Sequence, residues 1–394
     1  MRGESMRSIG IFGSWTTLLA LALAIQSLGL TPAAALDYVT VQKSGGEVEV
    51  AGKIQVEAAD GGVLLLARDG VLWPVPKEEL VSRRSDDTPF TPLSRDELSK
   101  KLLQELPEGF KIHATKHYLI CYNTSPAYAT WVGGLFERLL GAFTNYWSRR
   151  GFELHEPEFP LVAIVFDRQS DYAEYSRGEL GEGGASSIIG YYSLSTNRVI
   201  MYDLTGVEEV GAKGARTSAA RINQILSQPR AERTVATIIH EATHQIAYNS
   251  GLQVRYADIP FWVSEGIAIY FETPDLQSTK GWRNIGGVNQ LNLFNFRKSL
   301  RDRPANSLEL LLTDDKRFRD PATMSAAYAE SWALNYFLLR TRADQYIAYL
   351  KKQSEQSPLV PVSGEERLEQ FKGAFGKDLQ AFDAEFLRYM RSVD

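Results

Sequence analysis

Apolar residues recur at helical spacing through Ala127–Arg150, where Trp131, Leu135, Leu139, Ala142, Phe143 and Trp147 share one face. The same spacing marks Val235, Ile238, Ile239, Ala242 and Ile246. Leu161–Phe166 is an unbroken apolar run between Pro160 and Asp167, which suits a strand buried on both faces. Phe110–Tyr122 reads as one strand and Asp171–Ser176 as a short helix. Ile188–Tyr192 and Arg198–Asp203 read as two strands joined by Ser195-Thr196-Asn197. Gly181–Gly184 lacks the Lys-Ser/Thr ending of a phosphate loop and reads as a turn or mobile segment. Residues 205–230 read as an inserted loop with one short helix. After Glu272 the pattern turns helical, over Gln290–Leu300, Ser307–Leu312, Ser325–Arg340, Gln345–Gln353 and Glu365–Arg391.

The pattern nearer the N-terminus is different. Val39, Val41, Val48, Val50, Ile54 and Val56 alternate roughly with polar residues, and Asp60-Gly61-Gly62 and Asp69-Gly70 supply turns. Val63–Ala67 and Val71–Val75 then form a hairpin pair. Residues 36–82 therefore read as a small all-β module. Residues 83–95 are polar and proline-containing, as a linker would be. Residues 96–394 follow as one α+β domain, with an N-terminal mixed-sheet lobe and a helical C-terminal lobe.

The first 35 residues resemble an export signal: Arg2 and Arg7, an apolar stretch over Ile9–Leu30, and Ala33-Ala34-Ala35 as a cleavage site. The expected location is periplasmic or extracellular, with an uncleaved anchor as the alternative. No stable membrane insertion is expected after cleavage. The formal net charge of −5 and the lack of a polybasic run argue against nucleic acid or a membrane surface as partner. Cys121 is the only cysteine, so no intrachain disulfide can form, and it reads as a small buried residue.

One motif carries chemistry. His240-Glu241-Ala242-Thr243-His244 reads H-E-x-x-H inside the second helical pattern, and uses two of the chain's 5 histidines. Residues four apart on a helix lie on one face, with Cβ atoms roughly 5–6 Å apart. Two imidazoles so placed can share a metal ion, and Glu241 lies beside it as a base. A catalytic zinc site takes three protein ligands and keeps one position open. No histidine follows His244, so the third ligand should be a carboxylate. Glu265, near the start of Phe261–Glu272 and after Pro260, is the candidate; Glu272 and Asp258 are its rivals. Glu272 suits a supporting role behind a ligand histidine. Ser264 or a neighbour would cap the segment, and Gly266 would let another backbone approach closely. His113 and His117, on an extended strand, lie too far apart to share an ion, and His155 falls in a loop.

H-E-x-x-H followed by W-x-x-E-G-x-A-x-Y-F-E over His240–Glu272 resembles the gluzincin metallopeptidases, the group that includes thermolysin. It is most similar to the peptidase-MA-like domains of secreted bacterial proteins, a group that includes domains of unknown function. The resemblance extends more weakly over 109–339. It implies a zincin-like fold and Zn2+ held by His240, His244 and Glu265. It also implies Glu241 as general base and a peptide or protein substrate. By the same analogy Val199–Tyr202 would be the sheet edge bordering the cleft. Tyr328 would face the oxyanion, with Tyr270 and Tyr192 as competitors. A catalytically silent zincin-fold scaffold of the cell envelope is the alternative reading, and the intact Glu241 speaks against it.

Overall fold

The computed structural model describes residues 35–206, 229–273 and 285–394. Apart from Ala35, the expected signal segment lies outside the described residues, as does nearly all of the expected inserted loop. Among the described residues no helix is long and apolar enough to cross a membrane.

The N-terminal sheet is an antiparallel meander. β1 (Ala35–Lys43), β2 (Gly46–Glu57), β3 (Val63–Ala67) and β4 (Leu72–Val75) follow one another, and β5 (Leu80–Pro89) returns to pair with β1. Val39, Val41, Val63, Leu65 and Val75 make its core. The linker expected at 83–95 is corrected, because residues 83–89 belong to β5. The side chains of β5 are almost all exposed, so no apolar alternation betrays it. Its hydrogen-bonded ladder with β1 holds it, helped by the Arg84 guanidinium 3.6 Å from the centre of the Tyr38 ring.

α1 (Arg95–Glu105) starts at Ser94, which forms a reciprocal capping box with Glu97. The second sheet contains β6 (Lys111–Ala114), β7 (Tyr118–Tyr122), β8 (Leu161–Phe166), β9 (Gly190–Ser193) and β10 (Arg198–Tyr202), in the order β6-β7-β8-β10-β9. β8 runs parallel to β7 and β10, and both edge strands are antiparallel to their neighbours. The mixed α+β architecture expected from the pattern is present. The single strand expected over Phe110–Tyr122 is instead the β6–β7 hairpin. Glu137, on α2 (Pro126–Ser148), accepts hydrogen bonds from the Thr115 hydroxyl and the His117 amide at 2.6 Å each and so stabilises the turn. That contact is tertiary, and local sequence does not announce it.

The expected edge strand is also corrected. Val199–Tyr202 lies in β10, which sits inside the sheet, and β9 is the edge. Every residue of β10 is buried, as a strand with neighbours on both sides requires, whereas Tyr192 of β9 is half exposed. Gly181–Gly184 forms no simple turn: it falls within α3 (Gln169–Ala185), which kinks at Gly181 with φ 71°.

The helical lobe comprises α4 (Pro229–Asn249), α5 (Phe261–Phe271), α6 (Gln290–Ser299), α7 (Ser307–Thr313), α8 (Met324–Thr341), α9 (Ala343–Ser354), α10 (Gly364–Phe375) and α11 (Leu379–Arg391). The one helix expected over Glu365–Arg391 is two, broken at Gly376 with φ 118° and restarted by the Asp378 side-chain cap. A single large core runs from the mixed sheet through these helices, with Phe143, Tyr146 and Trp147 of α2 packed on Phe271 of α5. Cys121 is wholly inside it, and burial pushes its thiol up to about 12.

The module docks on this body. Leu64, Leu66 and Leu72 share a cluster with Phe159 and Tyr256. The Leu72 amide donates to the Ser195 carbonyl at 2.7 Å, in the turn between β9 and β10. Arg255 donates to the carbonyls of both Leu194 and Gly70, at 3.2 and 2.9 Å. One side chain thus joins the module to the hairpin that carries the sheet edge.

Candidate metal centre

α4 delivers the motif because its other face is apolar. Val235, Ile238, Ile239, Ala242 and Ile246 are buried in the core, which turns His240, Glu241 and His244 towards α5 and β9. Polar contacts fix its register on the sheet. Gln245 donates to the carbonyls of Val162 and Asn197 at 3.0 and 2.8 Å, and Asn249 and Asn197 exchange a pair of amide hydrogen bonds. Past its last residue Gly251 adopts φ 86°, and a side chain there would meet the His155 ring.

α5 is buried along its whole length, Glu265 included at 5 % exposure. The capping role expected of Ser264 is corrected: Pro260 occupies the cap position, and the Phe261 amide donates to Asp315 instead. Gly266 has the expected function. A Cβ built on it would stand 2.7 Å from the Ser331 carbonyl and 2.7 Å from Asn335 Cγ, both on α8. Asn335 in turn donates to the Trp262 carbonyl at 2.8 Å and binds the Tyr346 hydroxyl. Gly266→Ala should therefore cost about 1–3 kcal/mol of unfolding free energy by overpacking, read from denaturant curves. An unchanged midpoint would mean that α8 can yield at no cost.

A carboxylate inside such a helix needs partners. Glu265 finds both histidines. His240 Nε2 lies 3.1 Å from one carboxylate oxygen, His244 Nε2 lies 3.5 Å from the other, and the two Nε2 atoms are 3.1 Å apart. Zinc ligands at about 2.0–2.1 Å in a tetrahedron stand roughly 3.3 Å from one another, so the donor set fits that ion. Behind His240, Glu272 accepts from Nδ1 at 2.7 Å, so that in the neutral ring the lone pair is on Nε2, facing the cluster. Glu272 also accepts from Asn289 at 3.2 Å. Asp258 is engaged elsewhere, with the Arg367 guanidinium and the Val362 amide.

The electrostatics follow from these contacts. Burial alone would depress the His240 pKa, but its hydrogen bonds to Glu265 and Glu272 outweigh burial and raise it well above the ordinary value. Burial would raise Glu265, yet His244 and His240 hold it well below the usual carboxylate range. Glu241 goes the other way. Burial raises its pKa, although the histidines and the Tyr192 amide work against that. The Tyr192 N–H donates to Glu241 Oε2 at 2.9 Å. This amide points out of the free edge of β9, so the glutamate is held between the two histidines and the sheet edge.

Among the described residues His240, His244 and Glu265 are the group of three that can hold an ion. His117 instead contacts Glu137 and Glu156 at 2.7 and 3.1 Å, and His155 lies beside Gly251. The candidate tyrosines have different partners. Tyr328 sets its ring edge-on against Phe318, 5.2 Å between centroids, and Phe318 packs on Phe261. The Tyr146 hydroxyl donates to Tyr270, and the Tyr192 hydroxyl donates to Asn197. Sequence reading missed Tyr248. It is half buried, one turn past His244, and stacked on Tyr192 at 5.7 Å. Residues four apart on a helix share one face, so Tyr248 follows His244 on the face that carries the motif. The 240/244/248 spacing was the signal.

A family model described only as a protein of unknown function (DUF1570) matches residues 234–360. That stretch contains His240, Glu241, His244, Glu265, Glu272 and Tyr328, and it excludes the β-module and the mixed sheet. No curated protein matches the chain.

Proposed function

We propose that this chain is an exported zinc-dependent peptidase of the gluzincin type, with Zn2+ held by His240, His244 and Glu265. The observation that carries the reading is the buried convergence of those three donors with an intact Glu241 beside them. The resemblance of His240–Glu272 to gluzincins supports it.

Zinc at this site would supply Lewis acidity, activating water near neutral pH and polarising a carbonyl. Glu241 would take the proton from the attacking water and return it to the leaving amine. Its raised pKa suits a group that must both accept and donate. The Tyr192 amide keeps the carboxylate aimed along the sheet edge. An extended peptide can pair with the free edge of β9 by backbone hydrogen bonds, which would bring a peptide carbonyl next to Glu241.

The oxyanion calls for a donor besides the metal. Tyr328 and Tyr248 are the two candidates. Tyr248 is favoured by its place one turn past His244 on α4, and burial, joined by the Glu265 charge, raises its pKa to about 12 and so keeps the phenol protonated. Tyr248→Phe should lower kcat by about 10²-fold, and Tyr328→Phe by far less, in steady-state assays of the two variants. The reverse order would restore Tyr328.

The function itself is tested by incubating zinc-loaded mature protein with a peptide library and identifying the products by mass spectrometry. Cleavage stopped by a chelator and restored by zinc is expected. Stoichiometric zinc without cleavage would favour the scaffold.

A further inference from the structure

The two ligand histidines are supported differently. His240 has a carboxylate, Glu272, behind its Nδ1. His244 has a hydroxyl: Ser264 Oγ lies 3.4 Å from its Nδ1, and the same oxygen lies 3.4 Å from Gln253 Oε1. Ser264 and Gln253 are both buried, and among the described residues the carboxylate paired with His244 is that of Glu265.

We propose that Ser264 is the positioning residue of His244, holding its ring through a neutral relay that ends on Gln253. The inference rests on the metal-site reading above. A serine hydroxyl has one proton and two lone pairs. Gln253 Oε1 can only accept, so the Ser264 proton goes to it. A lone pair then accepts from His244 Nδ1–H. The result fixes His244 as the tautomer with its Nε2 lone pair towards Glu265 and His240, the state that Glu272 imposes on its neighbour.

A hydroxyl is the fitting support at this position. Glu241, Glu265 and Glu272 already lie buried around the two rings. A second carboxylate behind His244 would add another buried anion, with its desolvation cost. Ser264 orients the ring without adding charge. It precedes Glu265 on α5, so the segment that brings the third ligand also brings the support of the second.

Zinc affinity, read by chelator competition on the full-length mature chain, tests this directly. The set is the parent, Ser264→Ala, Gln253→Met and the double variant, each also unfolded in metal-free form. Ser264→Ala should weaken zinc binding about 10–100-fold, the size of loss usual for such supports. Gln253→Met should weaken it less, and the double variant no more than Ser264→Ala, because the two act in one relay. The metal-free unfolding midpoint should move little. If Ser264→Ala does not fold, Gln253→Met carries the test. Affinities within about threefold of the parent, or losses that simply add, would overturn the relay while leaving the metal site intact. A parent that binds no zinc would remove both.

Discussion

Glu241→Gln will leave zinc bound and lower turnover by about 10²–10⁴-fold, the usual contribution of a positioned base. Glutamine has nearly the shape of glutamate. Its amide oxygen can still accept from the Tyr192 amide, the contact that holds Glu241 at 2.9 Å, so the side chain should keep its place. What it loses is basicity. Glu241 is outside the three-donor group, so its replacement should not release the ion. Two measurements on one sample separate the possibilities: metal content and kcat on a peptide found in the library screen. Unchanged turnover would mean that the residue is a spectator and that another group moves the proton. Loss of zinc together with activity would make Glu241 a ligand.

Glu265→Gln will release the ion. The two Nε2 atoms already stand 3.1 Å apart, and the Glu265 carboxylate brings negative charge to both of them. A neutral amide keeps the volume inside α5 but is a far poorer ligand for Zn2+ than a carboxylate. The parent should unfold at lower temperature when a chelator is added, because zinc at a hundredfold over its Kd stabilises the native state by about 2.7 kcal/mol. In the variant that chelator response should disappear, and zinc should no longer co-purify stoichiometrically. Zinc retained at one ion per chain in Glu265→Gln, and lost in His240→Ala, would mean that the third ligand lies elsewhere.

The parts legible in the sequence were those written as local periodicity. The β8 run is apolar on both faces because it is central, and the H-E-x-x-H spacing brings two rings together because a helix turn does so anywhere. Glu272 behind His240 followed from the same logic. The parts that were not legible depend on partners distant in the chain. β5 looks like a linker because its polar side chains face water and only its backbone is paired. The β6–β7 turn is shaped by Glu137 from α2, and the order of β9 and β10 at the edge is a matter of topology. Ser264 looked like a cap because serine often starts helices, yet it sits one turn in and faces His244. Tyr248 needed only the next step of the four-residue spacing.

A crystal of the protein grown with zinc, with anomalous data collected at the zinc edge, is the most direct measurement. One peak is predicted, about 2.0–2.2 Å from His240 Nε2, His244 Nε2 and a Glu265 oxygen. A peak at any other histidine, or no peak between these three side chains in a zinc-saturated crystal, would contradict the account.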